Sequence, residues 1–203
     1  MPAMRAPVYL ALLLLLCCGE WPGTALGFAA EGHRVVGAIA EARLCPETRA
    51  WLAPLLDGAT LANAGVWADT IRDDPAWRHT KSWHYIDVAD DGDLERAMAQ
   101  PGGNVLRAIA DAERDLADPR LPREKRAEAL RFFVHFVADV HQPLHVGRPG
   151  DRGGNDVAVL WGRRPLTLHE VWDGRALLEG EHLDDAALAR AIGALGEGAE
   201  GRG

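Results

Sequence analysis

Cysteine is scarce in this sequence, and its scarcity excludes a disulfide framework. The 203 residues contain three cysteines. We expect Cys17 and Cys18 to leave with an N-terminal segment, so Cys45 remains alone and no intramolecular disulfide can form. Lipid attachment at Cys17 or Cys18 is the less favoured alternative, because Leu and Cys rather than small residues precede them. An exported chain without a disulfide can be stabilised by bound metal instead.

Clusters of basic residues are also missing. The chain has 22 Lys and Arg against 30 Asp and Glu, a formal net charge of −8, and its cations are scattered along the sequence. This argues against a basic groove that follows nucleic-acid phosphates, and so against a protein that coats nucleic acid generally. Anionic substrates could still bind where metal ions supply positive charge at one spot.

No apolar run is long enough for a stable membrane anchor. The run Val8–Cys18 has 11 residues, whereas a spanning helix needs about 20. Arg5 precedes this run and small residues follow it at 25–27, a pattern typical of a secretory signal peptide. We therefore expect a secreted or periplasmic protein whose mature chain starts at Phe28.

The length suits one domain after this signal. We expect residues 1–27 to be the signal peptide and residues 28–203 to form a single domain with a sizeable core.

The stretch Phe132–His145 combines three histidines and an aspartate with a nearly continuous apolar run, which predicts a helix buried on all sides. His135 and Asp139 are four residues apart, so they share one face, about 40° apart and roughly 6 Å along the axis. A buried carboxylate costs several kcal/mol unless it is paired or binds a metal, and this segment has no Lys or Arg after Arg131. Metal is the simplest partner, although the spacing alone leaves an ordinary hydrogen-bonded His–Asp pair open.

Pro143 predicts where this helix ends. Its ring clashes with the carbonyl of Asp139, so we expect the helix to stop near His141 and the chain to turn back. The turn could bring His145 to the same site. His141 is six residues from His135 and faces elsewhere, so we do not count it as a ligand.

The remaining periodicity predicts an almost entirely helical fold. One break occurs at residues 151–165, where Gly153-Gly154 and alternating apolar residues predict a short β-hairpin or extended loop. Residues 72–103 are rich in Asp, Gly and Pro and predict irregular surface loops. Helices are predicted at about 32–44, 46–56, 104–117 (capped by Asn104), 122–141, 168–179 and 184–195.

Other potential metal ligands lie at the edges of these elements. His169 and Asp173 repeat the four-residue helical spacing of the central pair. His33, Asp69 and His84 are isolated in sequence. Tryptophans lie within two residues of three of these candidates, as an apolar shell around a polar site requires: Trp67, Trp83 and Trp172.

Six ordered motifs resemble those of the secreted, zinc-dependent, single-strand-specific nuclease and 3′-nucleotidase family, whose fold is shared with bacterial zinc phospholipase C. The resemblance extends from Phe28 to about Leu178. The motifs are Gly32-His33, Trp67-Ala68-Asp69, Trp83-His84-Tyr85-Ile86-Asp87, His135-xxx-Asp139 with His141-Gln142-Pro143-Leu144-His145, Gly153-Gly154-Asn155, and Leu168-His169-xx-Trp172-Asp173.

The resemblance implies an all-α fold of the phospholipase C type and three zinc ions per chain. The first zinc would be held by Asp69, His84, His135 and Asp139. The second would be held by His145, His169 and Asp173. The third would be held by His33, by Asp139 as a bridge, and by the amine and carbonyl of Phe28. An amine ligand exists only after the signal is cleaved.

The implied activity is hydrolysis of single-stranded DNA or RNA to 5′-phosphate products. A water shared by two zincs would be the nucleophile, since bound zinc lowers the pKa of water from about 15.7 toward 7. The resemblance makes Asp69 a catalytic residue as well as a ligand. Tyr85 matches the position on which the family stacks a base, worth roughly 1–3 kcal/mol, and an ordinary buried aromatic is the alternative.

The sequence departs from the family at its C-terminus, where a weak helix and a Gly-rich tail end at Gly203. Family members usually continue for further helices, so the resemblance implies a domain that lacks part of its supporting wall. Two other functions stay open: a zinc phospholipase C, and an inactive zinc-binding relative.

Overall fold

The computed structural model describes residues 30–175, and these form a helical fold with two small β-sheets. The helices are α1 Ala30–Ala42, α2 Pro46–Leu56, α3 Leu61–Ala64, α4 Trp67–Ile71, α5 Leu94–Met98, α6 Val105–Ala117, α7 Arg123–Asp139 and α8 Leu168–Glu170. The strands are β1 Ile86–Asp87, β2 Val146–Gly147, β3 Ala158–Trp161 and β4 Arg164–Thr167. Two 3-10 helices, Arg78–His84 and Pro143–His145, and a π-helical turn, Val171–Arg175, complete the order.

Side-chain caps define the starts of several helices. The Asn104 side chain accepts a hydrogen bond from the backbone N–H of Arg107 at 3.1 Å and opens α6. Thr60 does the same for α3. Thr167 and Glu170 form a reciprocal capping box that starts α8. Such caps satisfy N–H groups that the first turn of a helix leaves without partners.

Helix α7 is the central element, and it packs against α1, α2, α3, α4 and α6. It contributes to both apolar cores. Phe132 and Phe136 stack on each other with ring centroids 5.3 Å apart and join the first core, which also contains Ile86 and Val105. The opposite side of α7 joins the second core through Ala129, Leu130 and Val134. This burial on all sides follows from the apolar run in the sequence.

The end of α7 turns the chain back toward the helix. The last helical residue is Asp139, and Pro143 starts a 3-10 helix after Gln142. Backbone N–H groups of His141 and Gln142 close tight turns onto Ala138 and Asp139, each at 3.0 Å. As a result His145 returns to the face of α7 that carries Asp139.

The two sheets are both two-stranded. Strands β1 and β2 pair in parallel, with Ile86 opposite Val146 and Asp87 opposite Gly147. His145 directly precedes β2 and His84 lies two residues before β1, so the pairing holds the segments that carry these two histidines next to each other. Strands β3 and β4 form an antiparallel hairpin whose turn contains Gly162 at φ 63°, a conformation that favours glycine.

The structure confirms the mostly helical class and several predicted elements. Helix α2 spans the predicted residues, and Asn104 caps α6 as expected. The hairpin occurs at 158–167, later than the predicted 151–165. The prediction of only irregular loops at 72–103 is wrong, because a 3-10 helix, β1 and α5 lie there. A two-residue strand and a polar 3-10 helix carry too little periodicity to be seen in sequence.

Two further predictions fall partly or wholly outside the described residues. The helix predicted at 168–179 is observed as α8 and the π-helical turn up to Arg175. The one predicted at 184–195 lies outside the described range, as does the signal segment. Within residues 30–175, no helix combines the length and the apolarity that crossing a bilayer requires.

We predict that Gly37→Ala destabilises the fold. An added Cβ at Gly37 would lie 2.6 Å from the carbonyl oxygen of Leu61 and 2.7 Å from the Cα of Ala62, so α1 and α3 would have to separate. Overpacking typically costs about 1–3 kcal/mol, which exceeds the gain of about 1 kcal/mol from replacing glycine inside a helix. Urea unfolding should show a net loss of free energy of unfolding.

Gly150→Ala is the matched control, since an added Cβ there meets no atom within 4 Å. Equal stabilities for the Gly37→Ala and Gly150→Ala proteins would show that α1 and α3 do not pack this closely.

Candidate metal centre

Eight imidazole and carboxylate side chains converge on one region from separate segments of the chain. Helix α7 supplies two of them and the other six come from elements packed around it. The residues are His33 on α1, Asp69 on α4, His84 at the end of the first 3-10 helix, His135 and Asp139 on α7, His145 in the second 3-10 helix, His169 on α8 and Asp173 in the π-helical turn.

Asp139 lies at the centre of this cluster and is only 1% exposed. Its Oδ2 is 3.0 Å from His84 Nδ1 and 3.0 Å from His135 Nε2. Its Oδ1 is 3.0 Å from His145 Nδ1 and 3.6 Å from His33 Nε2. Each carboxylate oxygen thus faces a different pair of histidines, which is the arrangement of a bridging ligand.

Burial and neighbouring charge act against each other on these groups. Burial alone would raise the pKa of Asp139, but His135, His145 and His84 outweigh it and hold that pKa well below its usual range. Burial and the neighbouring His135 keep the pKa of His33 well below 6.5. His33 is therefore neutral and can offer a lone pair to a cation.

His145 behaves in the opposite way. Burial would lower its pKa, but the carboxylates of Asp139, 3.0 Å from Nδ1, and Asp173, 3.6 Å from Nε2, raise it to about 9. The His169 pKa is also raised, because Asp173 outweighs the burial of the ring. In the protein without metal, protons on these histidines balance the carboxylates.

His145, His169 and Asp173 form the second half of the cluster. The Nε2 atoms of His145 and His169 lie 3.6 Å and 3.2 Å from the two carboxylate oxygens of Asp173. Gln142, which is fully buried, donates its amide N–H to Asp173 Oδ1 at 2.7 Å and fixes the carboxylate in place.

Hydrogen bonds on the far sides of two rings fit a metal site. His135 Nδ1 lies 2.6 Å from the carbonyl oxygen of Gly65, and His169 Nδ1 lies 2.7 Å from that of Gly153. A carbonyl only accepts, so each Nδ1 donates, and Nε2 is the atom that can give a lone pair to a metal once the ring has lost its other proton. Metal-binding histidines in proteins are oriented in this way.

The donor set also fits the metal. Three groups of side chains have ligand atoms within 4.8 Å of one another: His33, His135 and Asp139; Asp69, His84 and His135; and His145, His169 and Asp173. All donors are nitrogen or oxygen, which suits zinc. The last group has the same residues as the set implied for the second zinc. The first two differ from the implied sets, because His135 falls in both and Asp139 falls with His33 rather than with Asp69 and His84.

The cluster opens to solvent through a pocket of about 410 Å³. His84, His145, His169 and Asp173 line it, so a bound molecule can reach both halves of the cluster. Tyr85 also lines it and is 45% exposed, which contradicts the buried-aromatic alternative.

The other sequence candidates take different places. Phe28 lies outside the described residues. His141 is exposed and bonds to the carbonyl of Val137, away from the cluster. Trp67 and Trp83 pack on the first core as an apolar layer, whereas Trp172 is 44% exposed.

Sequence reasoning missed two residues that contact the cluster. Arg72 Nη1 lies 3.3 Å from Asp69 Oδ1, and the three-residue helical spacing could have indicated that pair. Gln142 bonds to Asp173. The sequence did offer a hint of this contact, because Gln142 is a polar residue between His141 and Pro143, directly after a helix predicted to be buried.

Comparison with known proteins gives a family match over most of the chain. A family model described as S1/P1 Nuclease matches residues 28–195. The chain is similar to Endonuclease 4 of Arabidopsis thaliana, 34% identical over 73% of this chain and 55% of that protein, and to Nuclease P1 of Penicillium citrinum, 34% identical over 78% and 63%. It is also similar to Nuclease S1 of Aspergillus oryzae, 32% identical over 72% and 53%. The matched part of the chain thus spans little more than half of these relatives.

We predict that zinc binding to the metal-free protein releases protons. At pH 7.5, His145 with its pKa of about 9 is charged, and a ligand must lose its proton to bind. Titration calorimetry in two buffers of different ionisation enthalpy should show release of about one proton or more per chain. His141→Ala should release as many, because His141 is exposed. A binding heat that is the same in both buffers would contradict the assignment.

Proposed function

The chain belongs to the S1/P1 nuclease family, and we propose that it is a zinc-dependent phosphodiesterase that cleaves single-stranded DNA or RNA to 5′-phosphate products and acts on 3′-nucleotides. The observation that carries the proposal is the convergence of eight histidine and aspartate side chains beneath one open pocket. Burying so many ionisable groups costs free energy unless they are paired or bind metal. Such a cluster at the base of a pocket marks a candidate functional site.

We assign the donors to three zinc ions. Asp69, His84, His135 and Asp139 would hold the first; His145, His169 and Asp173 would hold the second. His33, Asp139 and the terminal amine and carbonyl of Phe28 would hold the third. Each of the two carboxylate oxygens of Asp139 lies close to a different pair of histidines. This supports its role as the bridge.

Zinc bound there would lower the pKa of a water molecule and stabilise negative charge on a phosphate. The protein's own residues would orient the reaction. Asp69 joins the cluster to Arg72 at 3.3 Å, and Arg72 lines the pocket. The guanidinium of Arg72 can therefore contact a phosphate oxygen while Asp69 holds its place in the cluster, and we propose Asp69 as a catalytic residue on this ground.

Tyr85 supports a preference for single strands. Its ring follows His84 directly, lines the pocket and is nearly half exposed. A base can stack on an exposed aromatic face, and duplex DNA hides the faces of its bases. The contact therefore favours substrates with unpaired bases.

The pocket rim argues against a phospholipase C. Lipid tails need an apolar rim, whereas Arg72, Lys81, Asp87 and Arg152 line this pocket. The three cationic side chains among them can pair with the phosphates of a nucleic acid.

The location of the protein is proposed from the N-terminal sequence. Residues 1–27 have the pattern of a secretory signal, so we propose a secreted or periplasmic enzyme. Its partner is the nucleic-acid or nucleotide substrate.

We predict that the mature protein hydrolyses single-stranded DNA, loses this activity on chelation, and regains it with zinc. His135→Ala should lower activity about a hundredfold or more, because a ligand common to two donor groups is removed. It should also destabilise the fold by about 1–3 kcal/mol, since the buried Asp139 loses the histidine 3.0 Å from its Oδ2 and keeps the others. Hydrolysis of labelled oligonucleotides and urea unfolding are the measurements.

His141→Ala is the control, because His141 lies two residues beyond the end of the same helix but is exposed. Cleavage of phosphatidylcholine with no cleavage of single-stranded DNA would favour the phospholipase alternative. Zinc uptake without turnover of either substrate would favour the inactive relative.

We also predict that one extra residue before Phe28 removes a single zinc. The added residue would replace the Phe28 amine by an amide, which is a poor metal donor, and would leave the other ligands in place. Metal analysis of the two chains should differ by one zinc per chain. Equal zinc content would show that the terminal amine is not a ligand.

A further inference from the structure

Two exposed cations, Lys81 and Arg152, line the pocket without contacting the metal-binding side chains in the described structure. Lys81 Nζ pairs with Asp73 at 2.8 Å, and Arg152 Nη1 pairs with Asp156 at 3.2 Å. Among the described residues, neither Asp73 nor Asp156 lines the pocket. In each pair, therefore, the cation lines the pocket and the carboxylate does not.

The two cations flank different halves of the cluster. Lys81 lies on the 3-10 helix that ends at His84. Arg152 directly precedes Gly153, whose carbonyl accepts the hydrogen bond from His169 Nδ1. One cation is thus placed beside the half that contains His84, and the other beside the half that contains His169.

The backbone of Arg152 adopts a conformation that is unfavourable for an arginine. Its φ is 53°, in the left-handed region that favours glycine over arginine, and the two residues that follow it are glycines at positive φ. An arginine that stays in a conformation costly for its side chain marks a candidate functional position.

We propose that Lys81 and Arg152 bind the phosphates of nucleotides that flank the cleaved bond, so that the preferred substrate is an oligonucleotide with phosphates on both sides of the site. This rests on the proposed nuclease function. The side chains of Lys81 and Arg152 are 52% and 73% exposed, and exposed ion pairs stabilise a protein little. A substrate phosphate can therefore replace Asp73 or Asp156 at low cost. In a chain of net charge −8, these cations give a polyanion a path to the pocket.

The test compares Lys81→Gln, Arg152→Gln and the control Arg148→Gln. Arg148 is likewise exposed, at 70%, and paired with an aspartate, Asp90, but it does not line the pocket. The ratio of kcat/KM for an octathymidylate to kcat/KM for thymidine 3′-phosphate should fall about threefold to tenfold in each pocket variant at low salt. The slope of log(kcat/KM) against log[salt] for the octathymidylate should become shallower by about 0.7 for each lost phosphate contact. Arg148→Gln should match the wild type in both measures.

A second measurement separates this proposal from the function on which it rests. Fluorescence anisotropy with a labelled phosphorothioate octathymidylate reports binding by the metal-loaded protein without turnover. If the wild type hydrolyses neither substrate, the nuclease proposal fails, and weaker binding by Lys81→Gln and Arg152→Gln alone would still support the phosphate contacts. Unchanged ratios and affinities in both variants, or an equal loss in Arg148→Gln, would overturn the inference.

Discussion

The carboxylate of Asp139 is the constraint on which the rest of the structure depends. It is 1% exposed and surrounded by four histidine nitrogens at 3.0–3.6 Å. A buried charge costs several kcal/mol unless it is matched by an opposite charge at close range. Protonated histidines can match it in the metal-free chain, as the raised pKa of His145 indicates. Metal ions can match it better, because one dication replaces several protons and accepts lone pairs from neutral rings.

Helix α7 holds Asp139 in place and also packs into both apolar cores. Its apolar sides fill both cores through residues such as Phe136 and Leu130, so the helix cannot move without unpacking the domain. The proposed ligands His135 and Asp139 are therefore held on a rigid element, as a site needs. Pro143 then ends the helical path and returns His145 to Asp139 at 3.0 Å. Stability and site thus come from the same 14 residues of sequence, Phe132–His145.

Much of this could be predicted from the sequence, and what could not has physical reasons. Helical periodicity located α2 and α6, and the four-residue spacings of His135 with Asp139 and His169 with Asp173 placed each pair on one face. The parallel pairing of β1 with β2, which holds the segments that carry His84 and His145 next to each other, involves two residues per strand, too few to show a period in the sequence. The contacts of Arg72 and Gln142 depend on tertiary approach rather than on local pattern. The convergence of His33 and Asp69 on the cluster around Asp139 could be anticipated only from the family resemblance. The number of residues between two positions does not tell how far apart they lie in the folded chain.

If this acidic chain acts on a polyanion, as we propose, it must concentrate positive charge in one place. Metal in the buried cluster would supply that charge, and the cations at the pocket rim would guide the substrate. The most direct test is X-ray diffraction from crystals of the mature protein on both sides of the zinc absorption edge. The account predicts anomalous peaks beside both oxygens of Asp139 and between His145, His169 and Asp173. Crystals grown with zinc that show no such peaks, with the histidines bonded directly to Asp139 and Asp173, would contradict it.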